Sequence, residues 1–418
     1  MTHRPCVRLA PLLTLLLLAC SEEPAERDPS ADLGSAVADG LPAQVDGQLG
    51  FADGAATTDN LGTLDGATAS PDAAPPPAPT FSFAVFGDNQ FATTSCTSGV
   101  PERLAVPEAV LDLKPDFVVH TGDLMDHGYE SGAYAKFVSC YSGMLAKHPF
   151  FPTMGNHDAG SGGVLKYKSF LETQLTTRNA KAWGSGYKSA FSVSYNDDPT
   201  NYSTSFSSPN YNQSVPSGVS FKTFYAYRHK NAYFISFEQG TRWWTNTPTT
   251  WVEKHLKKAH ADPGIDHIFV HMHHPMYSTT MAESSASGEC IQPVRKAYEA
   301  LFRKYDVTMV FSGHAHLYDR FYVPDDGSKT RKDPPPTSYP HDGSAIHYIV
   351  TGGGGGGLNS CGLKQEKSYD YFQSRACVFH VTRVQVKGKQ LTVSIVKVAG
   401  SASSYTKKVI DTFTVGAP

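Results

Sequence analysis

Five short polar segments, each directly after an apolar run, carry side chains of the types that bind metal ions. They read Gly-Asp-Asn-Gln at 87–90, Gly-Asp-Leu-Met-Asp at 122–126, Gly-Asn-His-Asp at 155–158, Val-His-Met-His-His-Pro at 270–275 and Gly-His-Ala-His at 313–316. Carboxylate together with imidazole suits zinc, iron and manganese. One aspartate can bridge two close cations, and such a pair can activate water and hold both the attacking and the leaving oxygen of a phosphoryl transfer.

The apolar runs before these segments alternate with helical patterns. We predict strands at 81–86, 117–120, 150–154, 267–270 and 307–311, and helices at 102–113, 134–147, 251–259 and 294–305. Paired strands follow at 221–227 and 232–237, the segments 346–351, 377–384 and 391–398 complete the sheets, and 159–220 is interpreted as a long insertion of loops and short strands. Such alternation predicts a layered α/β domain, in which ligands bind beyond the carboxyl ends of the strands.

The composition indicates a folded domain behind a separate N-terminal segment. The chain has 418 residues, of which 40% are hydrophobic, so a wholly disordered or fibrous protein is excluded. Residues 21–80 carry eleven acids and one arginine, whereas residues 81–418 carry 33 Lys and Arg against 28 Asp and Glu, a net charge of +5. The overall charge of −3 does not indicate a nucleic-acid-binding domain, and no segment points to a protein partner.

The first twenty residues have the features of an export signal. Arg4 and Arg8 precede an apolar run at 9–19 that is too short to span a bilayer as a mature helix. The run ends Leu-Leu-Ala-Cys at 17–20, which resembles a bacterial lipobox; an ordinary signal peptide cut elsewhere, or a short anchor, is the alternative. We expect a lipoprotein signal at 1–20, a membrane anchor through lipid on Cys20, a solvated tether at 21–80 and a folded domain at 81–418.

Five cysteines remain once Cys6 and Cys20 are set aside; they are Cys96, Cys140, Cys290, Cys361 and Cys377. Export leads to an oxidising compartment, so disulfides are expected. A bridge between Cys361 and Cys377 would close a short loop, and Cys96 with Cys140 is a second plausible pair, but the sequence does not fix the connectivity. Because five is odd, at least one thiol is free or pairs between chains.

The ordered set of segments resembles the calcineurin-like metallophosphoesterases, which share a two-sheet α/β/β/α sandwich. The C-terminal half is most similar to the purple acid phosphatases: His-His-Pro-Met-Tyr at 273–277 resembles their His-x-Pro-x-Tyr, and Gly-His-Ala-His-Leu-Tyr-Asp-Arg at 313–320 resembles their Gly-His-x-His-x-Tyr-Glu-Arg. The resemblance covers roughly residues 81–360. One such motif is weak evidence, but five in family order, each after a strand, are strong evidence.

The resemblance implies a centre of two divalent or mixed-valence metal ions, drawn from iron, zinc and manganese. It assigns Asp88 and His316 to the first ion, Asp123 as the bridge, and Asn156, His273 and His314 to the second ion. His157 would lie near the leaving oxygen, where it would stabilise the transition state or donate a proton. Either Asp126 or Asp158 would orient that ring by accepting its other N–H.

Two positions depart from the family pattern. Most members have histidine two residues after the first aspartate, where this chain has Gln90, whose amide oxygen is a weaker ligand than imidazole. Purple acid phosphatases have tyrosine three residues after the bridging aspartate, where this chain has Asp126. Without a tyrosinate, neither a purple colour nor a strong preference for ferric iron is expected.

Other residues near these motifs admit two interpretations each. His127, His274 and Tyr318 are candidates for substrate contact, although His127 is about as well explained as a solvated loop residue and His274 as a packing residue. The glycine run at 352–357 lacks the Lys-Ser/Thr of a phosphate-binding P-loop, so we interpret it as a loop that needs close backbone approach.

The sequence therefore predicts a secreted, lipid-anchored dinuclear phosphoesterase of the bacterial cell envelope, at the outer membrane or cell surface. Its substrates would be phosphate monoesters, attacked by a metal-bound hydroxide. A phosphodiesterase acting on nucleotides or lipid headgroups is one alternative. A non-catalytic surface protein that uses the same fold for binding is the other, and Gln90 is the residue that favours it.

Overall fold

Two mixed β-sheets stack face to face with helices on their outer faces, as the α/β/β/α prediction requires. The computed structural model describes residues 77–160, 163–195, 205–208, 211–214, 223–237, 249–281, 292–361 and 370–416. The expected signal segment, Cys20, nearly all of the expected tether and Cys290 lie outside the described residues.

The first sheet joins the start of the domain to its end. Its described strands, in spatial order, are β12 (Ser338–Tyr339), β17 (Ser404–Val415), β16 (Gln390–Ser401), β15 (His380–Lys387), β1 (Thr80–Phe86), β2 (Phe117–His120) and β3 (Phe150–Pro152). Strands β1, β2 and β3 are parallel, whereas β15 pairs antiparallel with β1. The carboxyl ends of β1, β2 and β3 therefore meet at one edge of the sheet.

The second sheet repeats this arrangement. Its described strands, in spatial order, are β14 (Phe372–Ala376), β11 (Tyr318–Pro324), β13 (Ala345–Thr351), β10 (Met309–Ser312), β9 (His267–His271), β8 (Ala232–Ser236), β7 (Tyr225–His229) and β4 (Ser192–Tyr195). Strands β8, β9, β10 and β13 run parallel, so their carboxyl ends also share an edge. A separate antiparallel pair is formed by β5 (Ser205–Ser208) and β6 (Tyr211–Ser214).

Helices cover both sheets. They are α1 (Glu102–Leu113), α2 (Ala133–Cys140), α3 (Ser142–Leu145), α4 (Asn156–Ala159), α5 (Gly163–Thr173), α6 (Asn179–Trp183), α7 (Tyr187–Ala190), α8 (Thr249–His260) and α9 (Gln292–Lys304). Helix α1 packs on β15 and β16, and α8 and α9 pack on the second sheet. Helix α1 ends where predicted, because Lys114 precedes a proline and turns into the left-handed region.

Aromatic rings fill the space between the sheets. Phe83 of β1 stacks on Phe117 of β2, with ring centroids 5.4 Å apart. Phe83 also meets Phe234 and Phe269 of the second sheet in edge-to-face contacts at 5.2 Å. Such contacts add to the burial of apolar area, and they fix the spacing of the two sheets whose ends carry the polar segments.

The interpretation of 159–220 as loops and short strands is wrong for much of its length. Helices α5, α6 and α7 and a π-helical turn, Gln174–Arg178, occupy most of 163–190. Buried Val164, Tyr167 and Leu171 are spaced three and four residues apart, a helical pattern that the many polar residues around them obscured. The helix predicted at 134–147 is interrupted at Tyr141, and strands β11 and β17 were not predicted.

Both cysteine pairs considered from the sequence are bridged. Cys96 is joined to Cys140, and Cys361 is joined to Cys377. The first bridge ties the loop before α1 to the end of α2, and the second closes the segment after β13. Within the described residues, every helix is too short or too polar to cross a membrane.

A buried histidine makes stability depend on pH. His347 on β13 is packed among Tyr322, Tyr339 and Phe413, and within the described residues neither ring nitrogen has a hydrogen-bond partner. Burial lowers the pKa of His347 to about 3. Above pH 6.5, the His347 ring is neutral in both the folded and the unfolded chain. Below pH 6.5, the unfolded chain binds a proton at this ring and the folded chain does not, so the free energy of unfolding decreases as the pH is lowered.

We expect His347→Phe to remove this contribution. When the pH is lowered from 7 to 5, the free energy of unfolding of the variant minus that of the parent should increase by about 2 kcal/mol. Urea unfolding across that range measures the difference, with His260→Phe as the control because His260 is exposed on α8. An identical pH dependence for the His347 variant and the parent would contradict the prediction.

Candidate metal centre

The five polar segments converge at the shared edge of the two sheets. Asp88, Asp123 and Asn156 follow β1, β2 and β3, and His273 and His314 follow β9 and β10. Backbone bonds tie the first two loops together, because Asp88 N donates to Gly122 O at 2.9 Å and Gln90 N donates to Asp123 O at 3.0 Å. The topology thus places residues more than two hundred positions apart beside one another.

Asp123 lies at the centre of the cluster and is buried. Its Oδ2 lies 3.3 Å from His273 Nε2, and its Oδ1 accepts a hydrogen bond from His157 N at 2.9 Å. One ligand atom each from Asp123, His273 and His314 lie within 4.8 Å of one another, a grouping that could hold a metal ion. Asp123 thus lies between residues predicted for the two ions, since Gln90 Nε2 also donates to its Oδ2 at 3.2 Å, and its bridging role stays a prediction.

The side chains around Asn156 are arranged for a cation. Asn156 Oδ1 lies 2.9 Å from His273 Nε2 and 3.0 Å from His314 Nδ1. His273 Nδ1 lies 2.8 Å from Thr121 O, and in the tautomer that donates this hydrogen bond Nε2 is free to ligate. Nε2 points at the Asn156 amide oxygen and the Asp123 carboxylate, so one metal ion between them could contact all three groups.

Asp88 supplies a second indication. Its Oδ1 accepts from His314 N at 2.8 Å, whereas within the described residues its buried Oδ2 has no hydrogen-bond partner. Burial raises the pKa of Asp88 well above its ordinary value, and the charge of Asp123 adds to the shift. His316 Nε2 lies 3.5 Å from Asp88 Oδ1, and His316 Nδ1 donates to Gly357 O at 2.7 Å.

The ring nitrogens are in the state that metal binding requires. Burial lowers the pKa of His314 well below its ordinary value and also lowers the pKa of His316. Neutral imidazole and ionised carboxylate are the forms that ligate metal ions. The residues present therefore fit a metal centre, with the ligand groups that the sequence predicted lying together.

Four residues of the metal segments have backbone φ angles that non-glycine residues rarely adopt. Asp88, Gln90, Asp123 and His314 have φ of 60°, 46°, 55° and 65°. Such conformations cost about 1–3 kcal/mol each and persist where the surrounding structure imposes them. The conformation of the loops after β1, β2 and β10 is therefore set by the contacts around the metal centre and not by the local preference of the backbone.

The comparisons with known proteins agree with this geometry. The calcineurin-like phosphoesterase family profile matches residues 81–318, more than half of the chain. The chain belongs to the calcineurin-like phosphoesterase family. The family implies a centre of two metal ions, and residues that could hold an ion lie together here.

Individual relatives share shorter or more distant similarity. An acid phosphatase of Aspergillus ficuum is 32% identical over 91 residues, which is 20% of this chain and 13% of that protein. The structure of purple acid phosphatase PPD1 from Lupinus luteus superposes with a TM-score of 0.54 at 17% identity, over 82% of this chain and 55% of that chain. The structure of PhoD superposes with a TM-score of 0.50 at 12% identity, over 81% and 70%. These structures share the fold.

The histidine that the sequence predicts to be catalytic lies at the open side of the centre. His157 Nε2 is 4.0 Å from Asp123 Oδ2, and His157 Nδ1 donates to the main-chain oxygen of Asp126 at 2.8 Å, with Asp126 Oδ1 at 3.2 Å. Burial lowers the pKa of His157, but the charge of Asp123 and the Asp126 acceptor outweigh this and raise it overall. Of the two residues considered, Asp126 lies against the ring, and its main-chain oxygen accepts the hydrogen bond from Nδ1.

Asp158 lies behind the ligand loops. Its carboxylate accepts backbone N–H bonds from Leu124, Met125 and Gly155, at 3.0–3.2 Å. Burial and the charge of Asp123 raise the pKa of Asp158 to about 7. The residue thus joins the loop after β2 to the loop after β3, a bracing role that the Gly-Asn-His-Asp motif did not disclose.

The candidates for substrate contact are placed differently from one another. His127 is exposed beside Asp126, and His274 is buried with its ring 4.3 Å from that of His314. The assignment of Tyr318 is wrong, because its buried hydroxyl donates to Asp411 Oδ2 at 2.7 Å on β17. Arg320 bonds the same carboxylate at 3.0 Å, so Tyr318 belongs to a polar network between the sheets.

The glycine run at 352–357, which we call the glycine strap, lies against the residues predicted to bind the first metal ion. Gly354 N donates to Gly87 O at 2.8 Å and Gly356 N donates to Asp88 O at 2.6 Å. A methyl group on Gly356 would lie 2.7 Å from the His316 ring and 2.8 Å from Asp88 O. The interpretation as a loop of close backbone approach is confirmed.

Arg103, which the sequence did not single out, anchors the glycine strap. Its buried guanidinium donates to Gly355 O at 3.1 Å and to Thr97 O at 2.8 Å, next to the Cys96 bridge. We expect Arg103→Ala to free the strap and weaken binding at the first-metal residues, lowering metal affinity by about 10- to 100-fold. Calorimetric titration with Zn²⁺ measures the affinity, and Lys147→Ala, at an exposed position after α3, is the control. Unchanged affinity in Arg103→Ala would contradict the anchoring role.

Proposed function

We propose that this phosphoesterase is an exported, lipid-anchored phosphatase that hydrolyses phosphate monoesters with two bound metal ions. The observation that carries the proposal is the convergence of Asp88, Asp123, Asn156, His273, His314 and His316 beside a half-exposed His157. Ester hydrolysis by a metal centre needs groups that hold the metal ions and a proton donor that can reach the substrate, and this arrangement supplies both.

The residues divide into holding and proton-transfer roles. Asp88, Asp123 and His316 would hold the first ion, with Gln90 as an added oxygen ligand, and Asn156, His273 and His314 would hold the second with the shared Asp123. When bound, the two ions lower the pKa of an attacking water and offset the charge of the phosphate group.

His157 would give its Nε2 proton to the leaving oxygen. The Asp126 main-chain oxygen holds the opposite N–H at 2.8 Å and so fixes the ring with Nε2 turned towards Asp123. A ring held through Nδ1 needs little reorganisation before Nε2 donates.

A preference for monoesters is supported by two observations. The segment similar to an acid phosphatase and the fold shared with a purple acid phosphatase both point to phosphatases. The net charge of +5 on residues 81–418 favours approach of dianionic monoesters.

The test is hydrolysis by protein that has been stripped with chelator and reloaded with metal ions. We expect p-nitrophenyl phosphate to be cleaved at least about ten times faster than bis(p-nitrophenyl) phosphate, a difference of about 1.4 kcal/mol in barrier. Stripped protein should be inactive. If the diester is cleaved faster than the monoester, the substrate class is diesters and not monoesters. Activity that survives complete removal of metal would refute the metal-dependent mechanism.

Export and lipidation are supported by the apolar run at 9–19 and the Leu-Leu-Ala-Cys segment that ends it. In a Gram-negative host, we expect the parent chain to fractionate with the outer membrane and to enter a detergent phase. Cys20→Ser should be released from both, because one lost thiol removes the lipid attachment point. Equal partitioning of parent and variant would refute lipidation at Cys20.

A further inference from the structure

The two halves of the metal centre share Asp123 but differ in their remaining ligands. The second half-site, as we call it, adds Asn156, His273 and His314, which gives two oxygen and two nitrogen ligands. The first half-site adds Asp88, Gln90 and His316, which gives three oxygen ligands and one nitrogen. This inference rests on the two-metal function proposed above.

The ligand groups of the second half-site are held close together by short contacts. His273 is fully buried and its ring orientation is set by the bond to Thr121 O at 2.8 Å. Its Nε2 lies 3.3 Å from His314 Nδ1 and 2.9 Å from Asn156 Oδ1. Little rearrangement separates this geometry from one that binds an ion, so affinity there should be high.

The first half-site lacks such preparation. Gln90 Nε2 donates to Asp123 Oδ2 at 3.2 Å, so the amide must turn its oxygen inward and give up this bond before it can ligate. Asp126 does not supply a further ligand in this geometry, because its carboxylate lies 3.2 Å from His157 Nδ1 and 3.3 Å from His127 Nδ1. His316 Nε2 lies 3.5 Å from Asp88 Oδ1, and 14% of the His316 side chain remains exposed.

Ligand chemistry then separates the two positions. Imidazole favours zinc, whereas carboxylate and amide oxygens favour manganese and magnesium. We propose that the first half-site is a weak, exchangeable site that, compared with the second, favours Mn²⁺ over Zn²⁺. The supply of free divalent metal then sets the fraction of molecules that hold both ions.

The test is metal titration of stripped full-length protein, read by calorimetry and elemental analysis rather than by activity. Zn²⁺ should bind in two classes whose dissociation constants differ by at least about tenfold, and the ratio of Mn²⁺ to Zn²⁺ affinity should be higher in the weak class. Asn156→Ala should weaken the tight class, which assigns it to the second half-site.

Two substitutions at position 90 should shift the preference of the weak class between Mn²⁺ and Zn²⁺ in opposite directions. Gln90→His adds an imidazole and should raise Zn²⁺ affinity of the weak class by about 10- to 100-fold, with the tight class unchanged. Gln90→Glu adds a carboxylate of the same size and should raise Mn²⁺ affinity more than Zn²⁺ affinity. Gln385→His, on an exposed position of β15, is the control.

Two outcomes overturn the inference: a single class of two equal sites, or a weak class that ignores both substitutions at position 90. Either result leaves the phosphatase function standing if the loaded protein hydrolyses phosphate monoesters. Conversely, two unequal classes in a protein that cleaves no ester would support the unequal half-sites and refute the proposed function.

Discussion

Asp123→Asn should lower kcat for phosphate monoester hydrolysis by about 1,000-fold or more. Asparagine keeps the size of the side chain but loses the charge that would lie between two cations. Asp123 is buried against His273 at 3.3 Å, so solvent offers no replacement ligand in its place. Steady-state kinetics gives the loss, and elemental analysis of the same preparation should show at least one metal ion fewer per chain.

Asp326→Asn is the matched control, since Asp326 lies in an exposed turn after β11. Its kinetics and metal content should equal those of the parent. An Asp123→Asn protein that is folded by circular dichroism, holds two ions and retains a tenth of the parent kcat would rule out the bridging assignment.

His157→Gln should separate proton donation from metal binding. We expect kcat for an alkyl monoester to fall by about 100- to 10,000-fold, because a poor leaving oxygen needs the proton that His157 supplies. For p-nitrophenyl phosphate, whose leaving group needs little protonation, the loss should be about tenfold or less. The backbone bond from residue 157 to Asp123 Oδ1 survives the substitution, so metal content should be unchanged.

The comparison of the two esters is the informative measurement. Equal losses for alkyl and aryl esters would show that His157 acts on both by binding or charge stabilisation instead of as a proton donor. His260→Gln, an exposed histidine at the far end of α8, should leave both rates as they are in the parent.

The sequence predicted which polar side chains lie together, because each of their segments follows an apolar strand. Parallel strands bring their carboxyl ends to one edge, so the strand pattern alone predicts that Asp88, Asp123 and His314 meet. The resemblance to a family then divides them between two ions, a division that local spacing does not contain.

What the sequence could not disclose depends on long-range contacts. Arg103 is one polar residue in an ordinary helix until its guanidinium is seen on Gly355 O, 252 positions away. Tyr318 stands next to a metal motif, yet strand β11 turns its hydroxyl towards Asp411. Alternation within a strand decides which neighbour of a ligand faces the centre, and β11 was not predicted.

The residues with positive φ in the metal loops indicate how the sequence of this protein would change if metal binding were no longer under selection. Four of the eight non-glycine residues with positive φ in the described chain belong to the metal segments. Glycine adopts that conformation without strain, so folding alone would reward its appearance at those four places. Longer side chains at these positions lower the free energy of unfolding. In return, they keep the ligand atoms directed at one shared point.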